Sequence, residues 1–160
     1  MTDTTVRAFQ SSDVPELLEL MRGLARFEGY IHDFTVTEDD LIRFGLGPDP
    51  AFESYVAESP SLEGLAGMVV VYRIPWTYDM RPTLVMKELF VRDDARGKGV
   101  GQALLRQVAR RAQELDCPRL QWTVLPSNTP ARRFYDLAGA TQDVDWEHWQ
   151  LNERGLADLT

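Results

Sequence analysis

Residues 96–101 read Arg-Gly-Lys-Gly-Val-Gly, between an apolar stretch ending Leu89-Phe90-Val91 and a run with apolar residues at helical spacing. A helix N-terminus exposes unpaired N–H groups and a partial positive charge. Glycines there let a phosphate approach those donors with no side chain in the way. The same glycines also suit a tight strand-to-helix turn with no ligand, and their density alone does not choose between the two. Two phosphate motifs are excluded. The P-loop needs Ser or Thr after Gly-Lys, and Lys98 is followed by Gly99. The dinucleotide fingerprint needs a sixth-position glycine, and Gln102 stands there.

The motif must be held by the elements around it. Thr5–Phe9 alternates as a short strand. Ser12 or Asp13 caps a helix, with Glu16 placed to complete a capping box from Asp13. Val14, Leu17, Leu18, Met21, Leu24 and Phe27 form its apolar stripe and Gly29 ends it. Thr37–Phe44 is a second helix with an acidic start. Strands follow over Phe52–Glu58, Leu65–Tyr72 and Thr83–Val91, the last two joined by a connection rich in aromatics and prolines. After the glycines, Val100, Leu104, Val108 and Leu115 mark one side of a helix, and another strand lies within residues 117–125. Asn128 caps a further helix with Pro130 in its first turn. Phe134, Leu137 and Ala138 are expected to face inward, and Gly139 stops it. Two tail strands are expected around Gln142–Asp145 and His148–Leu151. This order is not a uniform βαβ alternation; it describes a mixed sheet with helices against it, α/β or α+β in class.

Composition narrows the function. The 160 residues suit a single domain, 1–160, and 44% hydrophobic with 26% charged residues suits a soluble one. No apolar run nears the ~18 residues that span a bilayer, and the start lacks a signal peptide's pattern. The expectation is a cytoplasmic protein that does not engage a membrane. A net charge of −8 disfavours nucleic-acid binding. Cys117 is the single cysteine, and His32 and His148 are isolated, so no metal site is expected.

Arg96–Gly101 also has the form Arg/Gln-x-x-Gly-x-Gly/Ala, and Asn128–Ala140 reads Asn-Thr-Pro-Ala-Arg-Arg-Phe-Tyr-Asp-Leu-Ala-Gly-Ala. Together these resemble the acetyl-CoA motif and the later Asn-x-x-Ala-x-x-Phe-Tyr helix of the GNAT superfamily of N-acetyltransferases, along nearly the whole chain. Residues 26–58, 87–105, 127–139 and 145–152 look like its diamine acetyltransferase branch. The resemblance implies a central, mostly antiparallel sheet of six to seven strands with about four helices. It implies acetyl-CoA as cosubstrate, a small-molecule amine as acceptor, and a homodimer.

It also implies roles. Main-chain N–H groups of Gly97, Lys98, Gly99, Val100, Gly101 and Gln102 would hold the CoA diphosphate, with Arg96 adding charge. Arg96 also reads, and more simply, as a surface partner of Asp93 and Asp94. Leu89, Phe90 and Val91 would offer backbone bonds to pantetheine, and Asn128 and Ala131 would complete the CoA site, although Asn128 is also simply a cap. Tyr135 would return a proton to the CoA thiolate, a transfer close to balanced for a thiol near ~8.5 and a phenol near ~10. Its spacing alone reads as a core aromatic. Glu88 would act as base, and Phe27, Glu28, Lys87, Trp76 and Trp122 would border the acceptor. The branch carries adjacent carboxylates where this chain has Lys87-Glu88, so a lysine replaces the first. That departure disfavours a polyamine and favours an amine bearing a carboxylate. It also leaves open a CoA-binding sensor or structural subunit that keeps the fold without the activity.

Overall fold

The computed structural model describes residues 4–160. Their backbone divides into two compact units, through Thr123 and from Val124 to Thr160.

The first unit is built on a sheet of five strands in the order β1-β2-β3-β4-β5. These are β1 (Thr5–Ala8), β2 (Glu53–Glu58), β3 (Leu65–Ile74), β4 (Thr83–Val91) and β5 (Arg119–Gln121). The first four pair antiparallel and β5 joins β4 in parallel. Helix α1 (Val14–Glu28) and helix α2 (Glu38–Gly45) belong to one side, and α3 (Val100–Glu114) covers the other. On the first side Leu17, Leu18, Leu20, Met21 and Leu24 of α1 pack with Val56, Met68 and Val70. On the second, Val100, Leu104, Val108 and Ala112 form the buried stripe of α3. A fully buried aliphatic side chain contributes about 1.5–3 kcal/mol, so these two stripes fix the layering.

Residues directly opposite in a ladder share a face. Val71 stands opposite Met86, but Val70 stands opposite Glu88. Lys87 is therefore an extra residue, a β-bulge that re-aims the strand beyond it. Leu84 and Met86 lie on the α3 face, whereas Glu88 and Phe90 lie on the α1 face with Val70 and Met68. Simple alternation would keep all four even-numbered residues together.

Two glycines permit close approaches. A Cβ on Gly67 would stand 2.7 Å from the Phe90 carbonyl oxygen and 3.3 Å from Val100 and Leu104, so β3, β4 and the start of α3 meet at a point no side chain can enter. A Cβ on Gly23 of α1 would stand 2.8 Å from the Phe90 ring, which docks in its place.

Several expectations are corrected. Asp13 does not cap α1 with its side chain, nor box with Glu16. Its carboxylate instead accepts from both terminal nitrogens of Arg7, at 2.6 and 2.9 Å, and from the Gln10 N–H. Glu16 accepts from the Leu65 N–H at 2.7 Å, tying α1 to β3. Asp13 serves Arg7 and the Gln10 N–H just before it, and Glu16 serves the distant Leu65 N–H, because these satisfy donors the fold would otherwise bury.

The second unit contains α4 (Thr129–Leu137) and α5 (Glu153–Ala157). Neither tail strand forms, and only three residues of the 117–125 stretch pair, so five strands are present among the described residues where six to seven are expected. A strand exists only with a partner, and residues 141–152 have no ladder. Leu137 and Ala138 are exposed rather than inward-facing, and Phe134 is half-buried.

Asp13 is 7% exposed, and its hydrogen bonds to the Arg7 guanidinium hold its carboxyl below the usual carboxylate range. A depressed folded value adds stability above the unfolded pKa of about 3.9 and loses it as pH falls through the folded value. We expect Asp13→Asn to lower unfolding free energy at neutral pH by about 2 kcal/mol, typical of charge-assisted bonds. The difference from wild type should shrink below about pH 4. Urea melts across pH check this; a pH-independent difference would contradict it.

Candidate active site

The end of β4 and the start of α3 are joined by a 3-10 turn, Asp93–Ala95, whose Ala95 is fully buried. Gly97 and Gly99 then take φ of +73° and +82°, a region that glycine enters at no steric cost. Nothing lies within 4 Å of where a Cβ would sit on either, so backbone conformation, not crowding, demands glycine there. Gly99 occupies the N-cap position of α3 and has no side chain to cap it. The first-turn donors of α3 therefore open beside space free of side chains. Gly101 lies within that first turn. This arrangement fits a diphosphate.

The strand feeding the loop has an open side. β5 pairs with β4 only at Thr83, Leu84 and Val85, and the two separate beyond. Residues 86–91 of β4 continue against β3 alone. The Arg92 N–H donates to the Ala66 carbonyl at 3.0 Å, so Arg92 and Phe90 turn their main chain toward β3. Alternation then turns Leu89 and Val91 outward, toward the open edge. An extended chain can add itself there as a strand. Arg96 borders this edge. Its Nε donates to the Val91 carbonyl at 3.3 Å, its guanidinium pairs with Asp93 at 2.8 Å, and it lies 5.8 Å from the Phe27 ring centroid. The pairing with Asp93 is the surface role that the sequence also allows. Lys98 is exposed on the loop.

Glu88 stands on the α1 face next to this edge, half-buried. Burial pushes its carboxyl pKa up; the Lys87 charge opposes this and Glu28 reinforces it. Glu28 is the last residue of α1, and Lys87 is exposed at the bulge. Two tyrosines absent from the sequence reading join this group. Tyr30 is pushed up to about 12 by burial and by the charges of Glu88 and Glu28. Tyr72 is raised by burial and by Glu88. The signal that could have found Tyr30 is its place directly after Gly29, the helix stop. Tyr72 lies on the α1 face only because β3 alternates through Met68 and Val70.

Phe27 is 55% exposed and lines a groove of about 950 Å³ with Leu20, Gly23, Phe90, Arg92 and Arg96. Trp76 does not line that groove and sits in the β3–β4 connection. The Arg119 guanidinium is 3.9 Å from its ring centroid and Tyr78 is 5.7 Å away. Arg119 also donates to Thr83 Oγ1, and Arg81 clasps Asp116 with two hydrogen bonds. These contacts fasten the connection to the start of β4 and to the segment before β5. Trp122 follows β5 directly and is half-buried.

In the second unit, the Asn128 side chain accepts from the Ala131 N–H at 3.2 Å, so the cap is formed and the Ala131 donor is engaged within α4. Tyr135 is half-buried on α4, with its ring edge-on to Phe134 at 5.1 Å. Among the described residues no group of three His, Cys, Asp or Glu side chains could hold a metal ion, and no helix is long and apolar enough to cross a membrane.

Comparison with known proteins identifies the family. Residues 14–140 match the acetyltransferase (GNAT) family. Mouse thialysine N-epsilon-acetyltransferase is 28% identical over 155 residues, covering 93% of this chain and 91% of the relative. An Arabidopsis thaliana L-ornithine N5-acetyltransferase is 29% identical, covering 94% and 85%. Among solved structures, a Vibrio cholerae integron cassette protein superposes with a TM-score of 0.78 over 98% of this chain and 96% of its own, at 24% identity. An aminoglycoside N-acetyltransferase in complex with CoA superposes at 0.71 and 14% identity, over 94% and 96%. With its motif and its similarity to diamine-type relatives, the chain belongs to the GNAT family and is an acetyl-CoA-dependent N-acetyltransferase.

Proposed function

We propose that residues 1–160 act as one catalytic domain that acetylates the primary amine of a small molecule. One observation carries this reading: the unpaired edge of β4 runs directly into a helix opening made by two positive-φ glycines. Acetyl-CoA supplies an activated thioester. The N–H groups from Gly97 to Gln102 hold its diphosphate, and Arg96 adds positive charge beside them. The outward main chain of Leu89 and Val91 takes the pantetheine arm as an added strand, with Phe90 held between them by Gly23 and Gly67. The Leu89 N–H stabilises the charge that builds on the thioester oxygen during attack. Asn128 and Ala131 set the start of α4 for the same ligand.

Glu88 takes a proton from the acceptor ammonium, and burial suits it to that task by raising its pKa. Tyr135 gives a proton to the departing sulfur. Glu28, Phe27, Trp76 and Trp122 border the acceptor. Lys87 repels a second cation and attracts a carboxylate, so the favoured acceptor is an amine with an acidic group elsewhere. The named substrates of two relatives, thialysine and ornithine, have that character. The loss of a carboxylate at position 87 is what supports a second reading, a CoA-binding sensor without turnover, and the retained Tyr135 argues against it. The exposed Trp146, Trp149 and Leu151 support a homodimer that covers them.

A panel of ornithine, lysine, n-butylamine and spermidine, assayed by thiol release, tests the activity. We expect turnover with ornithine or lysine at a kcat/KM above that for spermidine; acetyl-CoA binding with no turnover on any amine would favour the sensor. pH–rate profiles test the proton carriers. The acidic limb of kcat/KM should lie above the ordinary glutamate value of about 4.3 and disappear in Glu88→Gln. Tyr135→Phe should keep acetyl-CoA affinity and lose about 10²-fold or more in kcat. A full rate in either variant, with chemistry limiting, removes that residue's role. Sedimentation should give twice the chain mass; a monomer at assay concentration would refute the dimer.

A further inference from the structure

The sheet face beyond the C-terminal end of α1 gathers four groups that together resemble no packing cluster. The Lys87 bulge sets Glu88 there, opposite Val70. Tyr72 is two residues further along β3 on that face, its ring 6.3 Å from Phe52, and is 38% exposed. Glu28 ends α1, Gly29 reverses the chain at φ 85°, and the Tyr30 N–H closes the turn on the Ala25 carbonyl at 2.9 Å. Tyr30 and Glu88 are half-buried, and Glu28 is exposed. Glu16 meets Leu65 and Gly23 meets the Phe90 ring opposite Met68, so α1 runs along this face toward Val70 and Tyr72 and its last turn ends on the Glu88 side; the carboxylate charges that raise Tyr30 and Tyr72 agree with that placement.

Their chemistry is complementary to one kind of group. Both phenols stay neutral at physiological pH, so they supply hydroxyls and aromatic faces rather than further charge. The two carboxylates supply negative potential. A primary ammonium brings one positive charge and three N–H donors, which such a set satisfies by charge, hydrogen bonds and cation–π contact. An anion meets repulsion from Glu28 and Glu88, and an alcohol offers them one neutral donor and no charge.

We propose that Tyr30 and Tyr72, with Glu28, form the cage that receives the acceptor ammonium and orients it toward Glu88. This rests on the reading of the chain as an amine acetyltransferase. Under it the tyrosines select amines and set the direction of approach, and neither exchanges a proton with the substrate.

The test uses the full chain labelled with 3-fluorotyrosine, in the presence of CoA, with Tyr30→Phe and Tyr72→Phe assigning the two fluorine resonances. Titration with n-butylamine and with ornithine should shift both resonances saturably, and 1-butanol should not. In steady state, Tyr30→Phe and Tyr72→Phe should each raise the KM for the amine about tenfold, a step of one decade in affinity. Acetyl-CoA affinity and the pH of the Glu88 limb should stay near wild type. Absence of a saturable shift with both amines, an equal response to 1-butanol, or unchanged amine KM in both variants overturns the cage. Saturable amine shifts without acetylation of any amine would leave the cage standing and overturn the acetyl-transfer reading instead.

Discussion

One inserted residue organises the working face of this protein. Without Lys87 as a bulge, the pleat would place Glu88 and Phe90 under α3 with Leu84 and Met86. A carboxylate would then be buried against the Val100–Leu104–Val108 stripe, where nothing compensates its charge. The extra residue moves it to the α1 side, the face that Tyr72 shares, where the charges of Glu88 and Glu28 both act on Tyr30. It also lets Phe90 fill the space left by Gly23. Packing and chemistry are thus satisfied by one local break in the ladder.

The donor side depends on a different economy. Gly67 sets how closely β3, β4 and the start of α3 approach, and Gly97 and Gly99 set the turn that ends at the helix opening. β5 supplies only three paired residues before leaving β4. The edge is therefore left without a strand partner while β3 holds it from behind, which is what an added strand requires. The Arg7–Asp13–Glu58 cluster and the Glu16–Leu65 tie do related work at a distance, anchoring α1 to the sheet on which Phe90 and Glu88 stand.

Much of this was legible in the residues. Strand β4 and the Asn128 and Gly29 helix boundaries follow from local patterns, because capping geometry and apolar period are properties of a few consecutive residues. The glycine motif could be placed but not interpreted by density alone; its meaning came from the strand before it and the Phe-Tyr helix after it. The bulge was not legible, since Leu84, Met86, Glu88 and Phe90 keep an unbroken period of two and only the register with β3 reveals the slip. Asp13 and Glu16 looked like a local box, yet the nearby Arg7 claimed the first and the Leu65 N–H claimed the second from across the fold. Tyr30 and Tyr72 carry no motif, being ordinary residues at the end of a helix and in a strand. The tail stretches with strand-like composition lack a ladder because pairing is a property of two segments, not one.

The alternation of β4 also divides labour between kinds of atoms. Leu89 and Val91 present main-chain groups, which every amino acid but proline possesses, while Glu88 and its neighbours present side chains. Under the proposed function, drift in sequence can therefore rewrite what the acceptor face recognises without touching the main-chain groups that hold the donor. Under that function, a fold so partitioned can take many specificities on a constant grip, and the lysine at its bulge is one place where such a change would act.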